Sequence, residues 1–194
     1  MSTQSKTFLT PEQYLEIERE AEYKSEYCRG EMFAMAGARE AHNRLVWNLV
    51  ANLGAQLRSG RCTGYPSDMR VLVSATGLYT YPDAIVVCGE PKFLDDRRDT
   101  LLNPTLIVEV LSPSTEAYDR GRKFDHYRSI ESLREYLLIA SDRVHGDFYT
   151  CQEDSRWVLT TAEGPSGALE LSSIECRLLL SDIYERVEFE GVVK

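Results

Sequence analysis

The sequence predicts a mixed α/β fold in which helices flank a sheet. Three observations predict it. From Arg39 to Ser59, the residues Leu45, Val46, Leu49, Val50, Leu53 and Leu57 recur at three- and four-residue intervals, which is the pattern of an amphipathic helix. The run LIVEVL, residues 106 to 111, is apolar on both faces except at Glu109, as in a strand at the centre of a sheet. Strand-like and helix-like segments also alternate along the chain instead of segregating into halves.

The elements follow in order. Thr10 stands before Pro11, with Gln13 three residues after Thr10, so a capped helix starts there and runs to about Ala21. SEYCRGEMFAMAG reads as a hairpin turning near Arg29-Gly30, because such a turn needs residues that accept the left-handed backbone. The long helix follows and ends at Gly60. MRVLVS and TYPDAIVVCG, joined through Ala75-Thr76-Gly77, read as a strand pair. After a polar loop containing DDRRD comes the strand with Glu109; Pro113 stops it, and Ser114 or Thr115 caps a helix reaching about Ile130. EYLLIAS, VHGDFYTC and RWVLTTAE are further strands with a turn at Ser141-Asp142-Arg143, and LSDIYERV is a short closing helix.

Composition narrows the function classes. The 194 residues suit one domain, 1–194, since neither a linker nor a repeat divides them. No apolar run approaches the roughly 18 residues of a membrane span, and the start, MSTQSKTFLTPEQ, lacks a basic segment followed by an apolar one. A cytoplasmic protein with no membrane partner is expected. Cys28, Cys62, Cys88, Cys151 and Cys176 are odd in number and contain no CxxC, which points to reduced, packed thiols. Twenty-two Lys and Arg against thirty-one Asp and Glu give a net charge of -9, which argues against a broad surface for nucleic acid. A local basic groove remains open, with Arg58, Arg61, Arg70, Arg120, Arg122, Lys123 and Arg128 as its candidates. Neither a nucleophile elbow, a phosphate-binding glycine loop nor a zinc spacing occurs.

The chemistry lies in the misplaced charges. A buried carboxylate costs several kcal/mol unless it is paired, protonated or bound to a cation, so Glu109 requires a partner. Asp83 repeats the oddity, because Tyr81-Pro82-Asp83 leads straight into the apolar run Ala84 to Val87. The period of two sets Ile107, Glu109 and Leu111 on one side of their strand. On adjacent strands the two acids would converge on one divalent cation, and magnesium, which takes hard oxygen ligands and keeps several waters, suits them. Lys123, Tyr127 and Ile130 lie at i, i+4 and i+7, so the lysine shares a stripe with two core residues and can face the acids. Glu31 beyond the hairpin turn, His42 on the apolar side of the long helix, and Asp119 and Tyr127 near the lysine are further candidates. A two-carboxylate glycosidase would need an open, aromatic-lined cleft, and the apolar flanks of Asp83 and Glu109 oppose it.

YPDAIVV, then PTLIVEVLSPST, then YDRGRKFDHYRSI followed by EYLLIA, together with RGEMFAMAG and His42, resemble the Uma-type family of restriction endonucleases in the PD-(D/E)XK nuclease superfamily. The resemblance covers roughly residues 12 to 150 and leaves strands and a short helix in 151–194. It implies a restriction-endonuclease-like fold, a mixed central sheet flanked by helices, and a metal-dependent hydrolase of DNA phosphodiester bonds. By the resemblance Asp83 and Glu109 hold Mg2+ or Mn2+. Leu111 stands where the superfamily places its lysine, and the resemblance implies that Lys123 takes over that role. The same fold could instead serve as a binding or scaffold module without turnover. The apolar and aromatic strands after Asp142 exceed what a nuclease core needs and supply an edge to be covered, so a homodimer is expected.

Overall fold

A computed structural model describes residues 8–189. Helix α1 (Pro11–Glu20) carries the expected capping box: the Gln13 N–H donates to Thr10 Oγ1 at 3.3 Å and the Thr10 N–H to Gln13 Oε1 at 2.9 Å. Strands β1 (Ser25–Cys28) and β2 (Glu31–Ala34) form the hairpin. Its two turn residues, Arg29 and Gly30, both have positive φ, 49° and 98°, which matches the twist of the flanking strands. Helix α2 (Glu40–Leu57) buries Leu45, Leu49, Leu53 and Leu57, the stripe that the periodicity defines.

The segment after α2 has no expected element. CTGYP forms strand β3 (Cys62–Pro66) at the sheet edge, where Pro66 is tolerated because one side of the backbone needs no ladder partner. Strands β4 (Arg70–Val73) and β5 (Leu78–Thr80) form the hairpin through Ala75-Thr76-Gly77. TYPDAIVVCG is not one strand: Tyr81-Pro82-Asp83 separates β5 from β6 (Ala84–Cys88), and the two enter different sheets. Pro82 has no N–H to donate, so the chain breaks where the ladder would need one.

After β7 (Thr100–Leu101) comes β8 (Leu106–Leu111), buried along its whole length. The helical segment behind it is not uniform. It comprises α3 (Glu116–Tyr118), a π-turn over Asp119–Lys123, and α4 (Phe124–Tyr127), so it ends three residues before Ile130. Neither Ser114 nor Thr115 caps it by its side chain; the Glu116 N–H donates to the Ser112 carbonyl at 2.9 Å instead. Strands β9 (Glu135–Ala140), β10 (His145–Cys151) and β11 (Trp157–Glu163) match the reading, whereas the hairpin β12 (Ala168–Leu171) and β13 (Cys176–Leu179) before α5 (Leu180–Ile183) was not anticipated.

The large sheet has the order β11-β10-β9-β8-β6-β3, with β8 and β9 parallel and the other neighbours antiparallel. One of its faces packs Leu106, Val108, Val110, Leu137 and Ile139 against the leucines of α2 and against Leu171, Leu178 and Ile183. The opposite face packs Ile85, Val87, Ile107, Leu111 and Leu138 against Val71, Val73 and Leu78 of a second sheet, β2-β1-β5-β4-β7, and against Tyr127. Tyr14 and Leu15 of α1 pack with Tyr27, Leu72 and Tyr79 of that second sheet. Two helical segments therefore flank the large sheet, and the alternation along β8 decides which residues meet which.

One reading is corrected outright. Cys62 and Cys88, opposite each other in the β3–β6 pair, form a disulfide, while Cys28, Cys151 and Cys176 are free thiols. Their separation of 26 residues carries no motif; only the register of two antiparallel strands brings them face to face. Among the described residues no helix is long and apolar enough to cross a membrane. Most of the stretch from which the absence of a leader was inferred, residues 1–7, lies outside the described residues.

Candidate active site

The register Ala84↔Val108 between β6 and β8, continued by one residue, sets Asp83 opposite Glu109. The Val110 N–H donates to Asp83 Oδ2 at 2.7 Å and fixes that alignment. Glu109 shares its face with Ile107 and Leu111, toward the second sheet and the segment that carries Lys123. It is buried, and its Oε1 accepts from the Tyr127 hydroxyl at 2.7 Å and lies 3.0 Å from Lys123 Nζ.

Lys123 is the hub. Its buried ammonium also lies 3.1 Å from Glu26 Oε1 and 3.6 Å from Asp119 Oδ1. Glu26 comes from β1, where Ser25 and Tyr27 are buried on one face and Glu26 occupies the other; the Thr80 hydroxyl donates to it. The π-turn spans Asp119 to Lys123, and such insertions recur where a helix must aim side chains at a site. The Tyr136 hydroxyl donates to the Asp119 carbonyl at 3.1 Å, holding the turn to the sheet. On the far side of Asp83, His42 Nε2 from the first turn of α2 lies 3.3 Å from Oδ2.

The electrostatics follow from burial among like charges. Loss of solvent pushes the Glu109 carboxyl up, and Asp119 and Asp83 push it the same way against Lys123 and Tyr127. Burial works against the Lys123 charge, yet Glu109, Glu26 and Asp119 outweigh it and hold the amine protonated, well above the ordinary lysine value. Burial likewise raises the Tyr127 phenol, so the group is a hydrogen-bond donor to Glu109. One ammonium faces three carboxylates, with Asp83 close by, so the site carries surplus negative charge.

Asp83, Glu109, Lys123, Tyr127 and His42 are thus brought together, and Asp119 joins them. Glu31 opens β2 opposite Cys28, and the acid of the hairpin that pairs with the lysine is Glu26. The alternation of β1 could have found Glu26, since a strand with Ser25 and Tyr27 inward against α1 turns its other face to the larger sheet. Of the basic candidates, Arg70 is buried against Tyr81 and Asp99, Arg120 is bound to Glu116 and Asp147, and Arg128 to Asp125. Arg58 lines a cleft of about 270 Å³ between α2 and β3, and Arg61 lines another beside Cys88 and Thr105, at the opposite end of the strands from Asp83. Arg122 alone of these seven stands beside the lysine without being part of the buried cluster.

The model of the Uma2 family, described as "Putative restriction endonuclease", matches residues 11–179. Two uncharacterized proteins of Synechocystis sp. are similar along nearly their whole length. The one designated sll1609 is 39% identical over 164 residues, 84% of this chain and 93% of that protein. The other, slr1290, is 38% identical over 183 residues, 93% of this chain and 94% of that protein. A crystal structure of "a putative nuclease belonging to DUF820" from Anabaena variabilis superposes with a TM-score of 0.75 at 16% identity, covering 91% of this chain and 97% of that one. That likeness shows a nuclease-like mixed α/β fold. The family model spans the segments that carry Asp83, Glu109 and Lys123, and the chain belongs to the Uma2 family of restriction-endonuclease-like proteins.

Proposed function

We propose that this chain is a magnesium- or manganese-dependent endonuclease that hydrolyses DNA phosphodiester bonds with Asp83, Glu109 and Lys123. One observation carries the reading: two acids lie opposite each other in the β6–β8 register beside a charged amine, and each uses only one oxygen on protein donors. Asp83 Oδ2 takes the Val110 N–H and approaches His42, and Glu109 Oε1 takes Tyr127 and Lys123. Asp83 Oδ1 and Glu109 Oε2 have no donor among the described residues. Among those residues no three His, Cys, Asp or Glu side chains form a cluster suited to a metal, so Asp83 and Glu109 would hold a cation only together with non-protein oxygens. That set fits magnesium, which binds through one or two carboxylates and substrate phosphate.

When bound, the cation supplies Lewis-acid polarisation of the phosphoryl group and a more acidic water. The chain does the rest. Asp83 and Glu109 hold the cation between β6 and β8, and the Val110 N–H and Tyr127 keep their carboxylates from turning. Lys123 Nζ keeps its proton; it orients the attacking water and stabilises negative charge growing on the phosphoryl oxygens. The second sheet closes over this face and limits water around the charges, which strengthens each interaction.

The alternative, a binding or scaffold module of the same fold, draws on Leu111 in the usual lysine position and on the three carboxylates that engage Lys123. Melting curves with and without Mg2+ or Mn2+, paired with cleavage assays on DNA, separate the two. Added metal raises the melting temperature of the wild type, because a ligand held only by the folded state stabilises it. Glu109→Gln abolishes the rise. Lys123→Met keeps it while losing cleavage; without metal this variant is less stable, because the buried Glu109 and Asp119 and the half-buried Glu26 lose their ammonium, and Lys123→Arg serves if it fails to fold. Identical metal responses of wild type and Glu109→Gln overturn the site. Metal binding without cleavage of any DNA favours the binding module.

A further inference from the structure

The ion pair between Glu26 and Lys123, 3.1 Å apart, presses the β1–β2 hairpin against the π-turn. Two arginines meet at that seam. Arg29 is three residues beyond Glu26, at the tip of the hairpin, and Arg122 immediately precedes Lys123; both are exposed. His126 lies one helical turn beyond Arg122, and after burial the charges of Arg29 and Arg122 are what most oppose its protonation. The same two guanidinium groups also act on Cys28. Both guanidinium charges therefore act on the same two side chains, His126 and Cys28.

That region lacks its counter-charge. Among the described residues neither Arg29 nor Arg122 has an ion-pair or hydrogen-bond partner, although the chain as a whole is strongly acidic and the neighbouring Arg120, Lys123 and Arg128 are all paired. The nearby acids are committed elsewhere: Glu26 to Lys123 and Thr80, Asp125 to Arg128, and Glu31 has a partner of its own. Arg29 is in addition an unfavourable choice for its place. With φ of 49° it occupies the first position of a turn that favours Asn, Asp or Gly, where a side chain with a Cβ and long stem loses stability. A left-handed residue with neither an internal hydrogen bond nor an ion pair points to an external partner.

We propose that Arg29 and Arg122 form a phosphate-binding subsite at the rim of the catalytic centre, gripping the nucleic-acid backbone beside the bond that is cut. The proposal rests on the nuclease reading and adds to it the residues that position the strand. Paired guanidinium groups suit phosphate because their planar forks match its oxygens. Placed next to Lys123, they let an overall acidic protein hold a polyanion through a small basic spot, without a broad positive surface.

Binding of a fluorescein-labelled DNA duplex in EDTA, followed by anisotropy over a range of salt, tests this without cleavage. Arg29→Asn and Arg122→Gln should each weaken binding about 5- to 10-fold, equally across sequences, and lower the slope of log affinity on log salt by about one. Arg29→Asn should melt at the wild-type temperature or above, since Asn suits the turn, whereas a purely structural arginine would lower it. Arg156→Gln, at an exposed ion pair with Asp154, should change nothing. Wild-type affinity and slope in both arginine variants overturn the subsite. Titration with inorganic phosphate, read from the His126 ring signals, separates the remaining cases. Three histidines in the chain make assignment by a His126→Gln variant direct. Phosphate shifts that vanish in the double arginine variant, with no duplex bound by the wild type, keep the subsite and overturn the nuclease reading. No shift from either ligand overturns the subsite.

Discussion

Tyr127 bears on two of the three acids of the lysine cluster, Glu109 and Glu26. Its hydroxyl donates to Glu109 at 2.7 Å and lies 3.5 Å from the Thr80 hydroxyl, which itself donates to Glu26. Tyr127→Phe keeps the ring in the core and removes only the donor, leaving a buried carboxylate with Lys123 alone. Such a loss costs about 1–3 kcal/mol, and urea unfolding of the two proteins measures it; equal midpoints would show that the hydroxyl contributes nothing. Lys123 and Tyr127 could be read from the sequence because a helical stripe reports which side chains turn inward. Glu26 escaped because four-residue strands carry a weak alternation, and the more prominent acid, Glu31, stands next to the turn.

The π-turn could not be read at all. No residue type marks it, and DRGRK is compatible with an ordinary helix; the extra backbone residue is imposed by packing against Glu109 and Tyr136. Helix α1 shows the opposite case, its start fixed by Thr10, Pro11 and Gln13. What docks α1 is a contact distant in sequence: Arg19 donates to Asp99 at 2.7 and 3.0 Å, next to β7. The Arg19 guanidinium holds the Asp99 carboxyl down at about 2, against an ordinary 3.8. A folded-state value below the unfolded one means that the stabilisation is full above pH 3.8 and is lost as the pH falls toward 2. Asp99 is a third exposed, so after solvent screening the interaction is worth about 1 kcal/mol at neutral pH. Asp99→Asn should lose that much at pH 7 and only a small part of it at pH 2. Stability curves of the two proteins that stay parallel down to pH 2 would contradict it.

Two sheets packed face to face, with α2 and the C-terminal hairpin behind the larger one, form the molecule. The helix-flanked mixed sheet was visible in the periodicities; the second sheet was not, because it depends on Pro82 breaking one apparent strand into two. The C-terminal surplus expected to drive dimerisation is largely internal, since Leu171, Leu178 and Ile183 pack on the large sheet. What stays open is β11, an edge strand with Val158 and Leu159 about half exposed. Unpaired edges with apolar side chains invite a second strand. The expected outcome is a dimer in sedimentation velocity at micromolar concentration that Leu159→Lys converts to monomer; a wild-type monomer would rule out this edge. Lys123 ties Glu26 of the smaller sheet to Glu109 of the larger, and this has a hereditary consequence. A descendant that had lost every use of this site would still need the amine and its acids in order to fold, because loss of one partner strands buried charge in the others. Persistence of the trio in a lineage therefore records selection for folding, whatever else the site does. Release from both leaves a different trace, the exchange of amine and acids together for apolar residues.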